Sequence, residues 1–482
     1  MDGASVDHIV TAMKTTDLPS FDTIFREGQA RPLKSVYPYV TAPAWTSTFS
    51  GVNPGKHGIF DMAEWQGSTL RTPNMRNSSV PFLWDYLTWA GRSVLVMGVP
   101  FVYPAPKVNG IFVSGRFTPY LSSYPEDLRN RFDLSGYEYK PSTARKRWNL
   151  IEKLGREAFV SEELSRLAKR VEVSLQLTDS RDWDGVILVD ELPDKLFHFV
   201  FDDQALVNRV LSALDSWTGQ LMKRMRKGDL LLVSSDHGFS RIRGRVFLAD
   251  WLRSKHYDVS RKSGGARRSH PEGHPTARRP FSGKLALVRE GFVGPGKRKR
   301  IPATIRDLTL SVARRAARTA GRSGGRRGTV VFTGPGRLGG RTTWVDYRAP
   351  QENPRSLSVV SLIEDMQILR RARLLENVFL SREIYTGEYA GGAPGQILIE
   401  SSEGLGIEPN PNQSGSFTGP PKGFQMGLHA NHGLLLSYGR DLQEGKTSPV
   451  LYDLVPTILD YLGLPMPNHL DGRSVLFAAR ER

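Results

Sequence analysis

The sequence predicts an α/β fold in which a doubly wound, mostly parallel sheet is sandwiched between layers of helices. Residues 93–100 and 110–114 are short apolar runs of the kind that form buried strands. Residues 144–176 have the amphipathic pattern of a helix, and residues 354–375 are predicted to form another helix before a strand at 396–399. This alternation over 482 residues is typical of one large α/β core with an inserted subdomain.

Composition narrows the class of protein. Because the chain has no cysteine, disulfides, thiolate metal sites and thiol catalysis are excluded. The first residues lack the basic-then-apolar pattern of a signal peptide, and no run approaches the roughly 18 apolar residues of a membrane-spanning helix. We therefore expect a soluble, cytoplasmic protein.

Thr41 is the strongest candidate for a nucleophile. It begins the helix-like run Thr-Ala-Pro-Ala-Trp-Thr-Ser, and a Gly/Pro/Asn turn at residues 51–58 closes on His57. A hydroxyl in such a place lies at the mouth of a parallel sheet, where the amides of a helix N-terminus stabilise a developing negative charge. Taken alone, the same pattern is also that of an ordinary loop, so its meaning depends on the segments that follow.

Three later segments carry acids and histidines at spacings typical of metal ligands. An apolar run leads to Asp194, and His198 follows four residues later, so a helix that starts there places both side chains on one face. A second apolar run ends in Asp236 and His237, and His429 precedes a third. A solvated helix face is the alternative for the first pair alone, whereas a charged pair at a buried strand end needs a partner.

These segments are predicted to line one crevice. In an open parallel sheet, residues that are remote in sequence meet where the strands end. Carboxylate and neutral imidazole ligands suit zinc or manganese. Together with Thr41, the set indicates a metal site beside a nucleophile.

The motifs resemble those of the type I phosphodiesterase/nucleotide pyrophosphatase family within the alkaline phosphatase superfamily. The similarity begins with the Asp-Gly-Ala tripeptide at residue 2, runs through the Thr41 motif and includes the acids and histidines above. It ends with segments at residues 453–459, 462–465 and 471–473. The motifs cover both ends of the chain in the family's order, which implies an alkaline phosphatase-like fold.

The resemblance implies a site with two divalent metal ions, with Zn²⁺ as the first choice and Mn²⁺ as the alternative. The corresponding ligand positions are Asp194, His198 and His429 for one ion, and Asp2, Asp236 and His237 for the other. Thr41 corresponds to the nucleophile. His57 is expected to close the loop after the nucleophile rather than to bind metal.

Two ligand positions keep an alternative. Only one residue precedes Asp2, and chain ends tend to fray, so Asp7 is the alternative at the second ion. His432 is the alternative to His429, although His429 follows Gly-Leu as the family pattern requires. Asp453 is expected to have a structural role, as the cap of the helix that follows it.

The resemblance implies a hydrolase that cleaves phosphodiesters, of nucleotides or lipid headgroups, through a phospho-threonine intermediate. Metal coordination would lower the pKa of the threonine hydroxyl and neutralise charge on the phosphoryl group. One departure bears on the substrate, since nucleotide pyrophosphatases have Phe-Pro-Asn after the nucleophile and residues 42–44 here are Ala-Pro-Ala. An amide that helps to hold the phosphoryl group is missing, so a phosphomonoesterase or a phosphomutase is the alternative.

Motif positions and charge divide the chain into three predicted segments. Residues 1–250 and 381–482 are the two parts of the alkaline phosphatase-like core, and residues 251–380 are an inserted basic cap that is partly flexible. Residues 261–327, which we call the basic segment, contain 19 Lys and Arg and only three acids, so they carry nearly all of the net charge of +17. Within this segment, residues 303–320 are predicted to form a helix with one apolar face.

The basic segment indicates either a solvated loop or a surface for a polyanion. As a lid or arm, it would attract a phosphorylated small molecule, a polyanionic substrate or an anionic membrane surface. Nucleic acid ranks lower because aromatic residues are not interleaved for base stacking. A second hypothesis is therefore a catalytically weak relative that binds an anionic polymer or membrane through this insertion.

Overall fold

The computed structural model describes residues 1–66, 69–137, 144–261, 327–333, 340–349, 359–409, 418–419, 425–439 and 448–475. Apart from its two end residues, the basic segment lies outside these ranges, and so does the predicted helix at 303–320. Binding of a polyanion or a membrane surface by this segment therefore stays a prediction. None of the described helices is long and apolar enough to cross a membrane.

The described residues form thirteen α-helices. In chain order these are α1 (Val6–Met13), α2 (Pro19–Glu27), α3 (Thr41–Ser50), α4 (Pro54–His57), α5 (Leu83–Trp89), α6 (Ala144–Leu154), α7 (Arg156–Asp179), α8 (Leu192–Val200), α9 (Gln204–Met222), α10 (Leu248–Ser254), α11 (Val359–Arg371), α12 (Ser381–Ile384) and α13 (Leu454–Tyr461). Short 3-10 helices span Met75–Asn77, Glu126–Asn130, Ser135–Tyr137, Ala390–Gly392 and Leu451–Asp453.

The same residues form nineteen strands. They are β1 (Gln29–Lys34), β2 (Glu64–Gln66), β3 (Thr69–Arg71), β4 (Val94–Val99), β5 (Gly110–Ser114), β6 (Ser123–Tyr124), β7 (Gly185–Leu188), β8 (Leu230–Ser234), β9 (Gly238–Arg241), β10 (Gly244–Val246), β11 (Asp258–Arg261), β12 (Thr329–Phe332), β13 (Thr342–Arg348), β14 (Leu375–Leu380), β15 (Ile397–Ser401), β16 (Leu405–Ile407), β17 (Thr418–Gly419), β18 (Gly427–Ala430) and β19 (His432–Gly439).

The parallel part of the fold is a sheet with the order β6-β5-β4-β7. β4 pairs in parallel with β5 and with β7, and β6 runs antiparallel at the edge. Every residue of β4 is buried, because helices cover both faces of this apolar strand. Val94 and Val96 belong to one core cluster with α3, α5 and α13, whereas Leu95 and Met97 belong to another with α7.

A neighbouring group of strands is antiparallel. β8 pairs with β19, and β19 pairs with β1. Helices α1, α2, α7, α8 and α9 share a core cluster with apolar residues of β8 and β19. β18 and β9 form a short pair that places His429 opposite Phe239. These strands and helices bring the three histidine-bearing segments of the sequence to one side of the molecule.

A separate five-stranded sheet has the order β11-β12-β13-β15-β14. Its strands come from residues 258–401, and together with α10 and α11 they enclose their own apolar core. β15, which is fully buried, lies between β13 and β14. This sheet therefore contains strands from before and after residue 380. The division of the chain into segments at residues 250 and 380 stays a prediction.

The start of the chain is buried, so the fraying suggested by the sequence does not occur. Asp2 has no exposed surface, and its N–H donates to the carbonyl of Asp190 at 2.9 Å. The Met1 amine donates to the carbonyl of Ser234 at 2.7 Å. The N–H of Asp194 in turn donates to the carbonyl of Asp2 at 3.0 Å. Hydrogen bonds to residues that follow β7 and end β8 thus hold Met1 and Asp2 in place.

Asp453 does not cap the following helix with its side chain, as the sequence suggests it would. It occupies the N-cap position of α13, but its side chain makes no capping hydrogen bond to that helix. The carboxylate accepts instead from the N–H groups of Val450 and Arg473, both at 2.9 Å. Asp453 therefore joins two loops, which is a structural role of another kind.

Arg170 and Asp190 form a buried ion pair beneath the start of α8. Their side chains are only 6% and 1% exposed. Arg170 Nη2 donates to Asp190 Oδ1 at 3.2 Å, and the same oxygen accepts from the N–H of Leu192 at 2.9 Å. Because Leu192 is the first residue of α8, this pair orients the helix that carries Asp194.

We expect Arg170→Leu to lower the free energy of unfolding by about 3–5 kcal/mol, because Asp190 is left as an uncompensated buried charge. Arg224→Leu is the matched control, since it breaks a largely exposed pair with Asp179 and should cost less than about 1 kcal/mol. Denaturant unfolding of both variants measures the difference. Equal losses in the two variants would contradict the special role of the buried pair.

Candidate active site

Three ligand-type residues meet at the end of β18. α8 begins with Pro193 in its first turn, which favours helix initiation, and its next residues place Asp194 and His198 one turn apart. His198 Nε2 lies 3.2 Å from Asp194 Oδ1. His429 Nε2, from β18, lies 3.0 Å from the same oxygen and 3.1 Å from His198 Nε2. These residues form the first candidate cluster.

A second candidate cluster adjoins the first and is buried. Its members are Asp2, Asp194 and His237, whose ligand atoms all lie within 4.8 Å of one another. His237 Nε2 is 3.3 Å from Asp2 Oδ1 and 3.5 Å from Asp236 Oδ2. The rings of His237 and His429 stack with 3.8 Å between centroids. The two clusters therefore share Asp194 and form one continuous centre.

Gly3 makes the close approach of the chain start possible. Its φ of +78° is one that residues with a side chain rarely adopt, and a Cβ here would lie 2.6 Å from Phe239 Cε2. The N–H of Gly3 donates to Asp236 Oδ1 at 3.3 Å. The turn thus brings Asp2 and Asp236 to the same place.

Hydrogen bonds orient all three imidazoles in the same way. In each ring Nδ1 faces a backbone carbonyl, and because a carbonyl only accepts, Nδ1 carries the proton. The acceptors are Gly427 for His198 (3.3 Å), Tyr39 for His429 (3.1 Å) and Gly238 for His237 (3.0 Å). In the neutral rings Nε2 keeps its lone pair and faces the carboxylates, which is the arrangement of histidines that bind metal.

Unpaired buried atoms give an independent test of a metal centre. Within the described ranges, Asp2 Oδ1, Asp236 Oδ2 and His237 Nε2 are buried without a hydrogen-bond partner, although they make the ion-pair contacts given above. Burial, and then the neighbouring Asp2, raise the pKa of Asp236 well above its usual range. Such a set of atoms fits divalent cations, which would satisfy the free lone pairs and offset the crowded negative charge.

The protonation states of the centre follow from burial and charge. Burial disfavours the ionised form of Asp194, yet His198 and His429 hold its pKa well below the usual range. Burial lowers the pKa of His429 to about 4, so this ring is neutral at pH 7. Burial acts on His237 in the same direction, but Asp236 and Asp2 outweigh it and raise its pKa to about 10. A cation that binds at His237 must therefore displace a proton.

Residues on either side of Thr41 contact the two clusters. Thr41 is the first residue of α3 and is only 3% exposed. The carbonyl of Tyr39, two residues earlier, accepts the hydrogen bond of His429. One turn after Thr41, on the same face of α3, Trp45 Nε1 donates to Asp2 Oδ2 at 3.0 Å. The segment around Thr41 is thus attached to a member of each cluster.

The alternative ligands lie elsewhere. Asp7 in α1 and His432 at the start of β19 are exposed, and neither belongs to the ligand clusters found among the described residues. His57 is buried and uses both ring nitrogens, with Nε2 2.9 Å from Ser47 Oγ and Nδ1 accepting from the N–H of Ile59 at 3.1 Å. His57 therefore closes the loop after Thr41, as the sequence indicates.

A buried carboxylate supports this arrangement from the other sheet, and the sequence analysis did not identify it. Glu400 in β15 is 1% exposed, and its Oε1 accepts from the hydroxyl of Tyr39 at 2.8 Å. Arg341 lies 3.4 Å from the same carboxylate oxygen. Tyr39 flanks the Thr41 motif and could have been noticed there, but no local pattern connects it with a residue 361 positions away.

We expect Glu400→Gln to weaken Zn²⁺ binding about tenfold, because a neutral amide leaves Arg341 without its buried carboxylate and loosens Tyr39, whose carbonyl orients His429. Glu376→Gln is the matched control, since it removes the half-exposed second partner of Arg341 and should change the affinity little. Competition with a chromophoric chelator measures the affinity. Unchanged binding in Glu400→Gln would contradict the connection from β15 to His429.

Comparisons with known proteins agree with the fold and the motifs. The family model of type I phosphodiesterases/nucleotide pyrophosphatases matches residues 1–291. Murine ectonucleotide pyrophosphatase/phosphodiesterase 5, solved as an inactive variant in complex with AMP, is 14% identical, with a TM-score of 0.51 over 98% of this chain and 96% of that chain. Phosphonoacetate hydrolase from Sinorhizobium meliloti, in complex with phosphonoformate, is 13% identical, with a TM-score of 0.56 over 96% and 93%. Curated protein sequences yield no match.

At these identities the solved structures show the fold alone, and they confirm the predicted alkaline phosphatase-like α/β class. The family match covers more than half of the chain and includes Thr41 and every candidate ligand except His429. The family consists of phosphoric ester hydrolases. The chain belongs to the type I phosphodiesterase/nucleotide pyrophosphatase family and is an enzyme of this class.

Proposed function

We propose that the enzyme cleaves phosphodiesters with Thr41 as nucleophile and two divalent cations as cofactors. The observation that supports this best is the convergence of three imidazole Nε2 atoms on the carboxylates of Asp2 and Asp194, next to the N-terminus of the helix that begins with Thr41. Zn²⁺ is the first choice because the donors are imidazoles and carboxylates, and Mn²⁺ suits the same set.

The first cluster, Asp194, His198 and His429, would hold one cation. Asp2 and His237 of the second cluster would hold the other together with Asp236, which is not a member of that cluster but whose Oδ2 lies 3.5 Å from His237 Nε2. Asp194 belongs to both clusters, so its carboxylate would lie within reach of either cation. Hydrogen bonds from Nδ1 to backbone carbonyls keep the imidazoles in the ligating orientation.

The chain's own groups would perform the chemistry in two displacements. When bound, the cations lower the pKa of the Thr41 hydroxyl and neutralise charge on the phosphoryl oxygens. Thr41 Oγ1 would release its proton to solvent and form a bond to phosphorus, while the bond to the leaving oxygen breaks with its electron pair and that oxygen takes up a proton from solvent. The first N–H groups of α3 have no partner within the helix and favour the negative charge of the phosphoryl group. Water then attacks the phospho-threonine, and Thr41 recovers its hydroxyl.

A phosphorylated small molecule is the substrate class that the family supports, and diesters rank first within it. The residue at position 44 favours the alternative substrate class, the phosphomonoesters. Ala44 is fully buried in an apolar cluster with Leu33 and Leu454, so it offers no donor to a phosphoryl group. A phosphomonoester substrate, cleaved by the same residues, is therefore the second candidate.

We expect Thr41→Ala to lower kcat by about three orders of magnitude or more with Zn²⁺ content unchanged, because the nucleophile is lost and the ligands remain. The matched control is Thr46→Ala in the same helix, whose buried hydroxyl bonds only to the carbonyl of Ala42 at 2.7 Å. Initial rates together with metal analysis test both variants. Full activity in Thr41→Ala would exclude Thr41 as the nucleophile.

We expect bis(4-nitrophenyl) phosphate to be cleaved with a higher kcat/KM than 4-nitrophenyl phosphate, and both activities to require Thr41. Parallel initial-rate assays on zinc-loaded protein measure the ratio. Turnover of the monoester alone would move the assignment to a phosphatase or a mutase on the same residues. Cleavage of neither ester would instead favour the catalytically weak relative that binds an anionic polymer or membrane.

A further inference from the structure

The ring of Phe239 packs against the histidines of both candidate clusters. Phe239 is the second residue of β9, and it lies opposite His429 of β18. Its ring centroid is 5.0 Å from that of His198, 5.2 Å from that of His429 and 5.7 Å from that of His237. The residue is only 5% exposed. One buried apolar ring therefore contacts all three imidazoles.

These contacts restrict the planes of the imidazoles. The ring plane of Phe239 crosses that of His198 at 74°, that of His429 at 61° and that of His237 at 50°. The first two contacts are edge-to-face, which is a favoured arrangement of aromatic rings. The hydrogen bonds from Nδ1 to backbone carbonyls fix the tautomer of each imidazole. Packing against Phe239 adds a limit on rotation of the ring about its Cβ–Cγ bond.

The ring of Phe239 is itself held in place from several directions. A Cβ at Gly3 would lie 2.6 Å from Phe239 Cε2, and a Cβ at Gly427 would lie 2.9 Å from Phe239 Cδ1. These two ring atoms are on opposite edges of the ring, so the backbone approaches it closely from both sides. The rings of Phe197 and Phe201 pack against it at 5.7 and 5.8 Å between centroids. Contacts other than those with the histidines thus fix the position of Phe239.

Phe239 also makes one boundary of the centre apolar. Together with Phe197 and Phe201 it places aromatic carbon, rather than water, next to the histidine rings. An apolar boundary lowers the local dielectric constant, which strengthens the attraction between a cation and nearby carboxylates. Both effects, on ring orientation and on the dielectric constant, would favour cation binding.

We propose that Phe239 is a positioning residue for both cation sites, which holds the rings of His198, His237 and His429 in the ligating orientation before a cation binds. This role rests on the proposed function, because it concerns the same two-cation centre. Phe239 acts through the imidazoles and contributes no ligand atom. Since His198 and His429 belong to the first cluster and His237 to the second, loss of the ring should weaken both sites together.

A role in core packing alone is the alternative for Phe239, because the residue belongs to the core cluster that includes α1, α2, α8 and α9. Loss of a buried ring from such a cluster lowers stability wherever the ring lies. A positioning residue also changes the affinity for the cation and the geometry of its ligands. Metal binding must therefore be measured separately from stability.

The test compares Phe239→Leu with Phe21→Leu. Both substitutions replace a buried ring by a smaller apolar side chain, and Phe21 of α2 is fully buried in the same core cluster. We expect both to lower Tm, but only Phe239→Leu to weaken the binding of two Co²⁺ ions, each at least tenfold in competition with a chromophoric chelator. The visible absorption band of bound Co²⁺, which reports the coordination geometry, should shift in Phe239→Leu alone.

Unchanged affinities with an unchanged Co²⁺ spectrum in Phe239→Leu would overturn the proposal. Weakening of one site alone, or equal weakening in Phe21→Leu, would overturn it as well. If Phe239→Leu fails to fold, Phe239→Met replaces it under the same criteria, because methionine fills the space with a flexible side chain instead of a planar ring. Failure of the unaltered protein to bind Co²⁺ would overturn the proposed cofactors too, whereas normal binding without an effect of Phe239→Leu would overturn this role alone.

Discussion

The crowding of buried carboxylates is the constraint on which the rest of the site depends. Asp2 and Asp236 have no exposed surface, and Asp194 lies between them and two histidines. Buried charges of one sign are stable only when cations or hydrogen-bond donors compensate for them. In this centre the donors are few, since Asp2 Oδ1 and Asp236 Oδ2 have no hydrogen-bond partner in the part of the chain that the structure describes. The fold thus concentrates buried carboxyl groups and imidazoles in one place, which suits divalent cations.

The elements around these carboxylates hold the helix that begins with Thr41, the proposed nucleophile. α3 is attached at both sides of Thr41, to His429 through the carbonyl of Tyr39 and to Asp2 through the indole of Trp45. Tyr39 is itself held by Glu400 from the five-stranded sheet. A shift of β15 would therefore move the start of α3 relative to the candidate ligands. Such positioning matters in phosphoryl transfer, where the protein contributes mainly geometry and charge neutralisation.

Much of the core, and the residues of the candidate ligand clusters, could be predicted because local patterns encode them. A continuous apolar run identifies β4, and a spacing of four residues places Asp194 and His198 on one face of α8. Two features had no such signal. Asp2 was expected to lie at a fraying end, because no local pattern shows its hydrogen bonds to Asp190 and Asp194, which are 188 and 192 positions away. Glu400 was not identified, because its role depends on a contact between β15 and the loop before α3, from residues 361 positions apart.

The sequence by itself determined the α/β class, the Asp and His residue types of the candidate metal centre and the family to which the chain belongs. Hydrophobic periodicity and short motifs are enough to identify these features. Only the tertiary structure decided which residues meet. It joined the two clusters through Asp194, left His432 exposed, and set the tautomers of the imidazoles through backbone carbonyls. It also left a cavity of about 450 Å³ that is lined by residues of β7 and β8. Strand order, burial and hydrogen bonding join residues that are distant in the chain, so no local pattern encodes them.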